Sequence, residues 1–322
     1  MPLAFLFWGS LLTFLFVVAS YIYLIIKFAP QTDWSALHNL DFKFLLLAVF
    51  LLFTYHLLDT LRLKTIAEGF NIRYGYLYGY ITSLIATFGA TITPAHIGGE
   101  LVIYYLLRRL GIQNRKIWGT ILFKTISGVS FFFVALPIFI IYTVSNEWIL
   151  KKLLLLGVIF ALFSLISFPI FKWFQKLEKG KGISKGIKRY CMTIFYFWRK
   201  KRILFLKACL YSIGLYLVFL SFAPVILKAF HLKFNLLEVY FIQLPLIYAI
   251  FTSPSPGGSG VGELGGVAIF EGIVPPNVIG IFIILWRFLS QYLSATVGGL
   301  IFTILVYRDW RNFELNNPLQ RK

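Results

Sequence analysis

Long apolar stretches separated by short polar segments dominate the pattern along this chain. A helix needs about 20 apolar residues, at a rise of about 1.5 Å each, to cross roughly 30 Å of hydrocarbon. Six stretches are long enough: Ala4–Ile26, Phe44–Leu61, Ile117–Ser145, Leu153–Phe171, Ile203–Leu227 and Val278–Tyr307. The pattern therefore predicts six full transmembrane helices.

Two further apolar regions, Tyr76–Leu110 and Val239–Ile273, are each interrupted near the middle. The interrupting residues are prolines and glycines, with a glutamate close behind: Pro94, Gly98, Gly99 and Glu100 in the first region, and Pro254, Pro256, Gly257, Gly258, Gly260 and Glu263 in the second. The second limb of each region is too short to cross a bilayer. We therefore expect two re-entrant helical hairpins, each returning to the side from which it entered.

Composition places this pattern in a membrane. Of the 322 residues, 59% are hydrophobic and only 13% are charged, whereas soluble domains contain about 25% charged residues. Too few polar groups are present to cover a water-facing surface. The predicted fold class is an all-α polytopic membrane protein, with residues 1–322 forming a single membrane domain.

The formal net charge of +19 does not indicate a nucleic-acid partner, because the charges lie between the apolar stretches. With the hairpins re-entrant, one face of the membrane receives 22 Lys and Arg and the other receives 6. Since Lys and Arg accumulate in cytoplasmic loops, we predict a cytoplasmic-membrane protein with both termini in the cytoplasm. Half of the 22 lie in a basic loop, residues 172–202, where Gly180, Gly182 and Gly186 argue against a long regular helix.

The two interrupted regions share a motif. Thr93–Glu100 and Ser255–Glu263 both run from Ser or Thr through proline and glycines to glutamate. In each, a basic residue inside the next predicted helix follows the glutamate by 24 positions, Lys124 after Glu100 and Arg287 after Glu263. Combined with the charge-derived topology, this match predicts inverted repeats over approximately 44–145 and 203–307, joined by residues 146–202.

Inverted repeats with broken helices place the substrate site of many transporters near the bilayer midplane. A proline or glycine break exposes backbone N–H groups at the start of the second limb, and a helix N-terminus attracts anions. The repeat therefore indicates a site for an anionic ligand between the hairpins.

The paired motifs resemble those of the lysylphosphatidylglycerol synthase transmembrane region family. The likeness extends over roughly Leu3 to Arg311, and its strongest parts are Pro256–Glu263 and the later Arg287, Tyr292 and Gly298. The resemblance implies a membrane-only fold with a role in lipid translocation or lipid-linked chemistry. One departure is Ala95-His96, where the family tends to have glycines. We expect no soluble aminoacyl-transferring domain within these 322 residues.

Ionisable residues within the predicted helices are the main site candidates, since burying a charge in a membrane is costly. Arg287 would either bind a lipid phosphate or pair with Glu263 or Glu271. Lys124 would either contact the ligand or extend to the interface. Glu100 and Glu263 would serve as proton-coupling groups or as ion-pair partners.

The remaining candidates lie mostly at the hairpin tips. His96 is a possible headgroup donor and the glycines supply backbone freedom, whereas His56 and Asp59 are interpreted as interfacial. The predicted substrate-binding set is Arg287, Lys124, Glu100, Glu263, His96, Gly98, Gly99, Pro94, Pro256, Gly257, Gly258, Gly260 and Tyr292. No cofactor, metal site or catalytic residue is predicted.

These features favour a non-enzymatic flippase or transporter for an anionic phospholipid or a polyprenyl-phosphate-linked lipid. One alternative is an intramembrane transferase acting on a lipid headgroup, for which Glu100 and Glu263 are the only candidate bases. A second alternative is a partner-binding membrane subunit, which would explain the basic loop but not the duplicated charged hairpins.

Overall fold

The structure is a computed structural model that describes residues 34–93, 96–144, 183–253 and 255–316, together with four helical positions at 15, 18, 22 and 26. Two of the six predicted spans, Ala4–Ile26 and Leu153–Phe171, lie outside the continuously described ranges. Within those ranges the chain is helical and contains no β-strand. The all-α class is therefore confirmed for the part of the chain that is described.

Nine α-helices and one π-helical turn organise these ranges. In chain order they are α1 (Phe42–Gly69), α2 (Tyr76–Thr91), α3 (Ile97–Arg109), α4 (Asn114–Val144), α5 (Ile183–Ala229), α6 (Leu236–Thr252), α7 (Val261–Phe270), α8 (Pro276–Arg287), the π-helical turn Phe288–Tyr292 and α9 (Leu293–Asn316). A short 3₁₀ helix, Trp34–Leu37, precedes α1.

Four helical segments in the described ranges are long and apolar enough to span a membrane: Phe42–Gly69, Asn114–Ile138, Arg199–Ala229 and Pro276–Asn312. They coincide with the four predicted spans that the structure describes. Large apolar side chains such as Phe133, Leu210 and Ile203 are more than 60% exposed on their outer faces, as expected for helices solvated by lipid. The chain is a multi-pass membrane protein, and the full six-span arrangement stays a prediction.

Each interrupted region folds as two helices packed side by side, α2 against α3 and α6 against α7. In the first pair the limbs approach closely because Gly89 faces Gly98. A Cβ on Gly89 would lie 2.6 Å from the Gly98 carbonyl oxygen. The Thr93 hydroxyl accepts from the Gly98 N–H (2.7 Å) and donates to the Gly89 carbonyl (2.8 Å), which closes the turn. The broken-helix prediction is confirmed; re-entry into the bilayer stays a prediction.

The two halves also share the turn before each helix pair. Asn71 and His231 both have φ of 56°, a left-handed conformation that asparagine and histidine adopt more readily than most residues. The next N–H bonds five residues back in both cases, Ile72 to Ala67 (2.9 Å) and Leu232 to Leu227 (3.1 Å). The order of elements from α1 to α4 is thus repeated from α5 onward, and the inverted orientation of the two halves stays a prediction.

The glycine-based expectation for the basic loop is wrong in its second half. Helix α5 begins at Ile183 and continues through Gly186, with its non-helical position at Lys201. A glycine inside a helix costs only about 1 kcal/mol relative to alanine, which is too little to prevent a helix that continues into a long apolar segment. The rest of the loop, residues 172–182, lies outside the described ranges.

Helix packing brings the two halves together around the hairpin tips. Helix α1 packs along α5, and α9 crosses back to pack on α2. The largest apolar cluster among the described residues joins α5, α6, α7 and α8, and includes the buried rings of Phe222, Phe270, Phe282 and Trp286. The second hairpin is therefore enclosed by protein, and the first lies between α1 and α9.

We expect Gly298→Ala to destabilise the protein, because Gly298 is where α9 touches α2. A Cβ there would overlap the backbone carbonyl of Leu84, and overpacking of this kind costs typically about 1–3 kcal/mol. The matched control is Gly214→Ala in α5, whose Cβ would make ordinary contact with Leu58 at 3.5 Å. Thermal unfolding in detergent should show a lower midpoint for Gly298→Ala alone; equal midpoints would contradict the contact.

Candidate functional site

The tips of the two hairpins meet near the centre of the described structure. The Gln291 side-chain amide, in the π-helical turn, donates to the Gly257 carbonyl (3.0 Å) and to the Thr91 hydroxyl (3.3 Å). Gly257 approaches Thr91 so closely that a Cβ would lie 2.8 Å from the Thr91 carbonyl oxygen. One polar side chain thus connects the end of α2, the turn after α6 and the turn after α8.

A buried ion pair stabilises the second hairpin. The Arg287 Nε donates to Glu263 Oε1 at 3.0 Å, and both side chains are fully buried. The Tyr292 hydroxyl donates to the same carboxylate oxygen at 2.5 Å, and the Gly260 N–H donates to Glu263 Oε2 at 2.6 Å. Gly260 has φ of +82°, a conformation that glycine adopts without steric cost. The glutamate therefore has partners on both of its oxygens.

Of the two roles considered for Arg287, the structure shows the ion pair with Glu263. A further donor, Arg287 Nη2, bonds to the Gly257 carbonyl at 3.3 Å. A Cβ on Gly262 would lie 2.6 Å from Arg287 Cζ, so that glycine makes room for the guanidinium. Arg287 connects α8 to the turn between α6 and α7 and to the first turn of α7, and it is not among the residues that line the adjacent cavity.

That cavity, of about 550 Å³, lies beside the hairpin tips. Residues of α1 to α6, the π-helical turn and α9 contribute to its walls. Much of the wall is aromatic: Tyr55, Phe132, Tyr216, Phe219, Tyr248 and Phe251. The volume lies within the range of about 300–1,000 Å³ that is typical of small-ligand sites.

One side of the cavity carries charge. Asp59 and Arg62 of α1 form an ion pair at 2.5 Å, and Lys124 of α4 also lines the cavity. The Ser83 hydroxyl donates to Asp59 Oδ2 at 2.7 Å, and Arg62 Nη1 donates to the Ser212 hydroxyl at 3.3 Å. The cluster contains residues of α1, α2, α4 and α5. Its hydrogen bonds hold α1 against α2 and α5 at the charged wall.

The interfacial interpretation of His56 and Asp59 is wrong. His56 is 0% exposed, and Asp59 and Arg62 are each 6% exposed. The His56 ring nitrogens bond to Ser83 (2.9 Å) and Ser294 (2.8 Å). The three residues lie near one end of the predicted span but on the face of α1 that turns toward α2 and α5. The carboxylate of Asp59 inside an apolar stretch is the signal that could have indicated this site.

Lys124 and Glu100, although related by the repeat to Arg287 and Glu263, do not form the equivalent pair. The Glu100 carboxylate accepts from the Thr125 hydroxyl at 2.5 Å. Among the described residues, the Lys124 ammonium forms no hydrogen bond or ion pair within 4 Å. In the first half, therefore, the Lys124 cation faces the cavity without an ion-pair partner, whereas in the second half the Arg287 cation is paired with Glu263.

The cavity reaches the outer surface beside α3 and α4, because lining residues of both helices are exposed. Several residues that line it are also exposed, including Ile97 (56%) and Val129 (42%). The neighbouring surface is apolar, with Leu101 47% exposed and Phe133 71% exposed. The opening consequently faces the part of the surface that lipid chains would cover.

The other predicted site residues divide between the cavity and the turns. His96 and Gly99 line the cavity, and the His96 ring stacks on Phe251 with centroids 5.1 Å apart. Gly98 packs against the opposite limb, and Pro256, Gly257, Gly258 and Gly260 form the second turn. Pro94 lies outside the described residues. No group of three metal-ligating side chains occurs in the described part of the chain.

Comparison with known proteins finds similarity over most of the chain. The family described as Lysylphosphatidylglycerol synthase TM region matches residues 7–298, which confirms the resemblance seen in the hairpin motifs. A protein of Archaeoglobus fulgidus, described as a UPF0104 membrane protein, is 26% identical over 291 residues. That match covers 84% of this chain and 89% of the relative.

Proposed function

Because the chain belongs to the lysylphosphatidylglycerol synthase transmembrane-region family, we propose that it handles membrane lipids, specifically as a flippase. The substrate would be an anionic phospholipid or a polyprenyl-phosphate-linked lipid, moved between the leaflets of the cytoplasmic membrane. The observation that carries this proposal is the cavity beside the hairpin tips, which has charged side chains within and an opening onto an apolar surface.

The shape of the cavity suits an amphiphile. A polar headgroup cannot cross about 30 Å of hydrocarbon unless polar groups replace its water. Asp59, Arg62, Lys124 and Glu100 provide such groups within the protein. The opening between α3 and α4 lets acyl chains remain in the bilayer while the headgroup enters.

The repeated helix pairs support a mechanism of alternating access. In transporters with inverted repeats, one repeat moves against the other around a fixed central site. Both helix pairs contribute to the cavity wall, and the Arg287–Glu263 ion pair fixes the second of them. We propose that the hairpins open to opposite sides of the membrane, with the termini in the cytoplasm.

Cysteine labelling tests this topology. In a variant with Cys191 and Cys209 replaced by serine, we expect Gln113→Cys, in the turn between α3 and α4, to react with a membrane-impermeant maleimide only from the cytoplasmic side. Gly272→Cys, between α7 and α8, should react only from outside. Both positions are exposed, so the reaction of each cysteine with the maleimide depends only on the side of the membrane from which the reagent is added. Labelling of either cysteine from the opposite side would contradict the inverted arrangement.

Transport in vesicles tests the function itself. Purified protein is reconstituted with a trace of fluorescent phosphatidylglycerol, and dithionite is added outside to bleach the label in the outer leaflet. A flippase lets the inner-leaflet label reach the reagent, so bleaching should exceed the half seen in protein-free vesicles. Bleaching equal to that of empty vesicles, for every phosphate-bearing lipid tried, would contradict the proposal. Mass spectra of the recovered lipid reveal any modified headgroup, the result expected of a transferase.

A further inference from the structure

We infer that Arg62 and Lys124 form the anion-binding site of the cavity and bind the phosphate group of the ligand. This inference rests on the proposed function for the route by which a lipid would reach the site. It moves the phosphate contact from Arg287, which pairs with Glu263, to two cations that line the cavity itself.

The first step concerns Asp59, the only carboxylate bonded to either cation among the described residues. Its Oδ1 accepts from Arg62 Nη2 at 2.5 Å, and its Oδ2 accepts from the Ser83 hydroxyl at 2.7 Å. Both oxygens therefore already have partners. Asp59 holds Arg62 in place and forms no direct ion pair with Lys124.

The second step concerns donors that have no acceptor. Arg62 is 6% exposed, yet its Nε has no hydrogen-bond partner among the described residues. Lys124 likewise has no bonded partner there. An unpaired buried donor costs free energy, so the free Nε of Arg62 and the unbonded, partly buried ammonium of Lys124 together indicate an acceptor supplied by a ligand.

The charges on the inner wall of the cavity also favour an anionic ligand. Asp59, Arg62 and Lys124 together carry one net positive charge, because two cations surround one carboxylate. Glu100 balances the cavity as a whole, but its carboxylate bonds to Thr125 near the opening between α3 and α4. The inner wall therefore attracts an anion, and the outer part does not.

Gly128 leaves space for that anion. It lies one helical turn after Lys124, on the same face of α4. Apart from its chain neighbours and the backbone of its own helix, the only described heavy atom within 4 Å of a Cβ placed at Gly128 is Arg62 Nη1, at 3.4 Å. The space beside Gly128 is thus bordered by both cations, and a phosphate placed there would receive charge-assisted hydrogen bonds from each.

Phosphate chemistry is shared by lipid headgroups and by free phosphate, so the binding test uses probes for both. Dihexanoyl phosphatidic acid, dihexanoylglycerol and inorganic phosphate are titrated into protein in detergent, with binding followed by calorimetry. We expect phosphatidic acid to bind, dihexanoylglycerol to bind at least about tenfold more weakly, and inorganic phosphate to bind more weakly than phosphatidic acid. If inorganic phosphate binds as tightly as phosphatidic acid, the anion site stands and the lipid source is wrong.

Variants test the two cations without removing Arg62 from its buried pair. Lys124→Met should weaken phosphatidic acid binding at least about tenfold, the effect of losing one charge-assisted hydrogen bond. Gly128→Asp should weaken it similarly, because the new carboxylate would pair with Arg62 and Lys124. The matched control, Lys228→Met on an exposed turn of α5, should bind like the wild type. Isosteric Gly128→Asn fills the same space without adding a charge, so it should bind phosphatidic acid more tightly than Gly128→Asp.

The outcomes separate this inference from the proposed function. Wild-type affinity in both Lys124→Met and Gly128→Asp, with folding verified by melting temperature, would overturn the Arg62–Lys124 site even if vesicles show lipid movement. The expected binding pattern without any lipid movement would instead support the site and overturn the flippase proposal.

Discussion

Replacing Arg287 with alanine will lower the free energy of unfolding by about 3–5 kcal/mol, the usual effect of removing one partner of a buried ion pair. Glu263 is 0% exposed, so without Arg287 its charge would be left inside the protein. Tyr292 and the Gly260 N–H would still bond to the carboxylate but could not neutralise it. Thermal and denaturant unfolding in detergent measure the loss.

Two comparisons make that result specific. The double variant Glu263→Gln/Arg287→Gln removes both charges and should recover much of the stability. Arg109→Ala removes a cation from the Arg109–Asp309 pair, whose side chains are about one-third exposed, and should cost no more than about 1 kcal/mol. If Arg287→Ala is as mild as Arg109→Ala, or if the double variant is no more stable than Arg287→Ala, the structural role assigned to the pair is wrong.

Gly128→Leu will reduce lipid movement at least about tenfold while leaving the protein folded. The leucine side chain would occupy the space beside Arg62 and Lys124 that we assign to the headgroup. Stability should change little, because the side chain would enter an existing cavity and not a packed core. The vesicle assay, normalised to the amount of reconstituted protein, measures the effect.

Gly128→Ala is the matched control for the leucine variant. Its Cβ would lie 3.4 Å from Arg62 Nη1, an ordinary contact, and most of the space would remain. Transport by Gly128→Ala should therefore stay close to wild type. Wild-type transport by Gly128→Leu would mean that the lipid takes another route through the protein.

The hairpins could be predicted from the sequence because their signal is local. Proline and glycine interrupt an apolar stretch whatever surrounds it, and the structure breaks the helices between Thr91 and Ile97 and between Thr252 and Val261. The repeated turn at Asn71 and His231 was not predicted, although both halves carry an aromatic residue, then Asn or His, an aliphatic residue and a cation. The left-handed backbone conformation of this turn could be recognised only in the structure.

Pairing across the fold could not be predicted in the same way. The 24-residue spacing is identical in both halves, yet Glu263 bonds to Arg287 whereas Glu100 bonds to Thr125. Which cation stays unpaired depends on the packing of helices far apart in sequence, above all α1 against α5. For the same reason His56 and Asp59 were interpreted as interfacial, although a carboxylate within an apolar stretch could have indicated a buried site.

A structure of the protein in nanodiscs that contain an anionic phospholipid is the most direct test of lipid entry into the cavity. It should show a phosphate within hydrogen-bond reach of both Arg62 and Lys124, with acyl chains leaving between α3 and α4. Arg287 should remain bonded to Glu263. A cavity closed to the bilayer on every side, with Lys124 paired to Glu100 and no headgroup beside Arg62, would contradict the proposed lipid path.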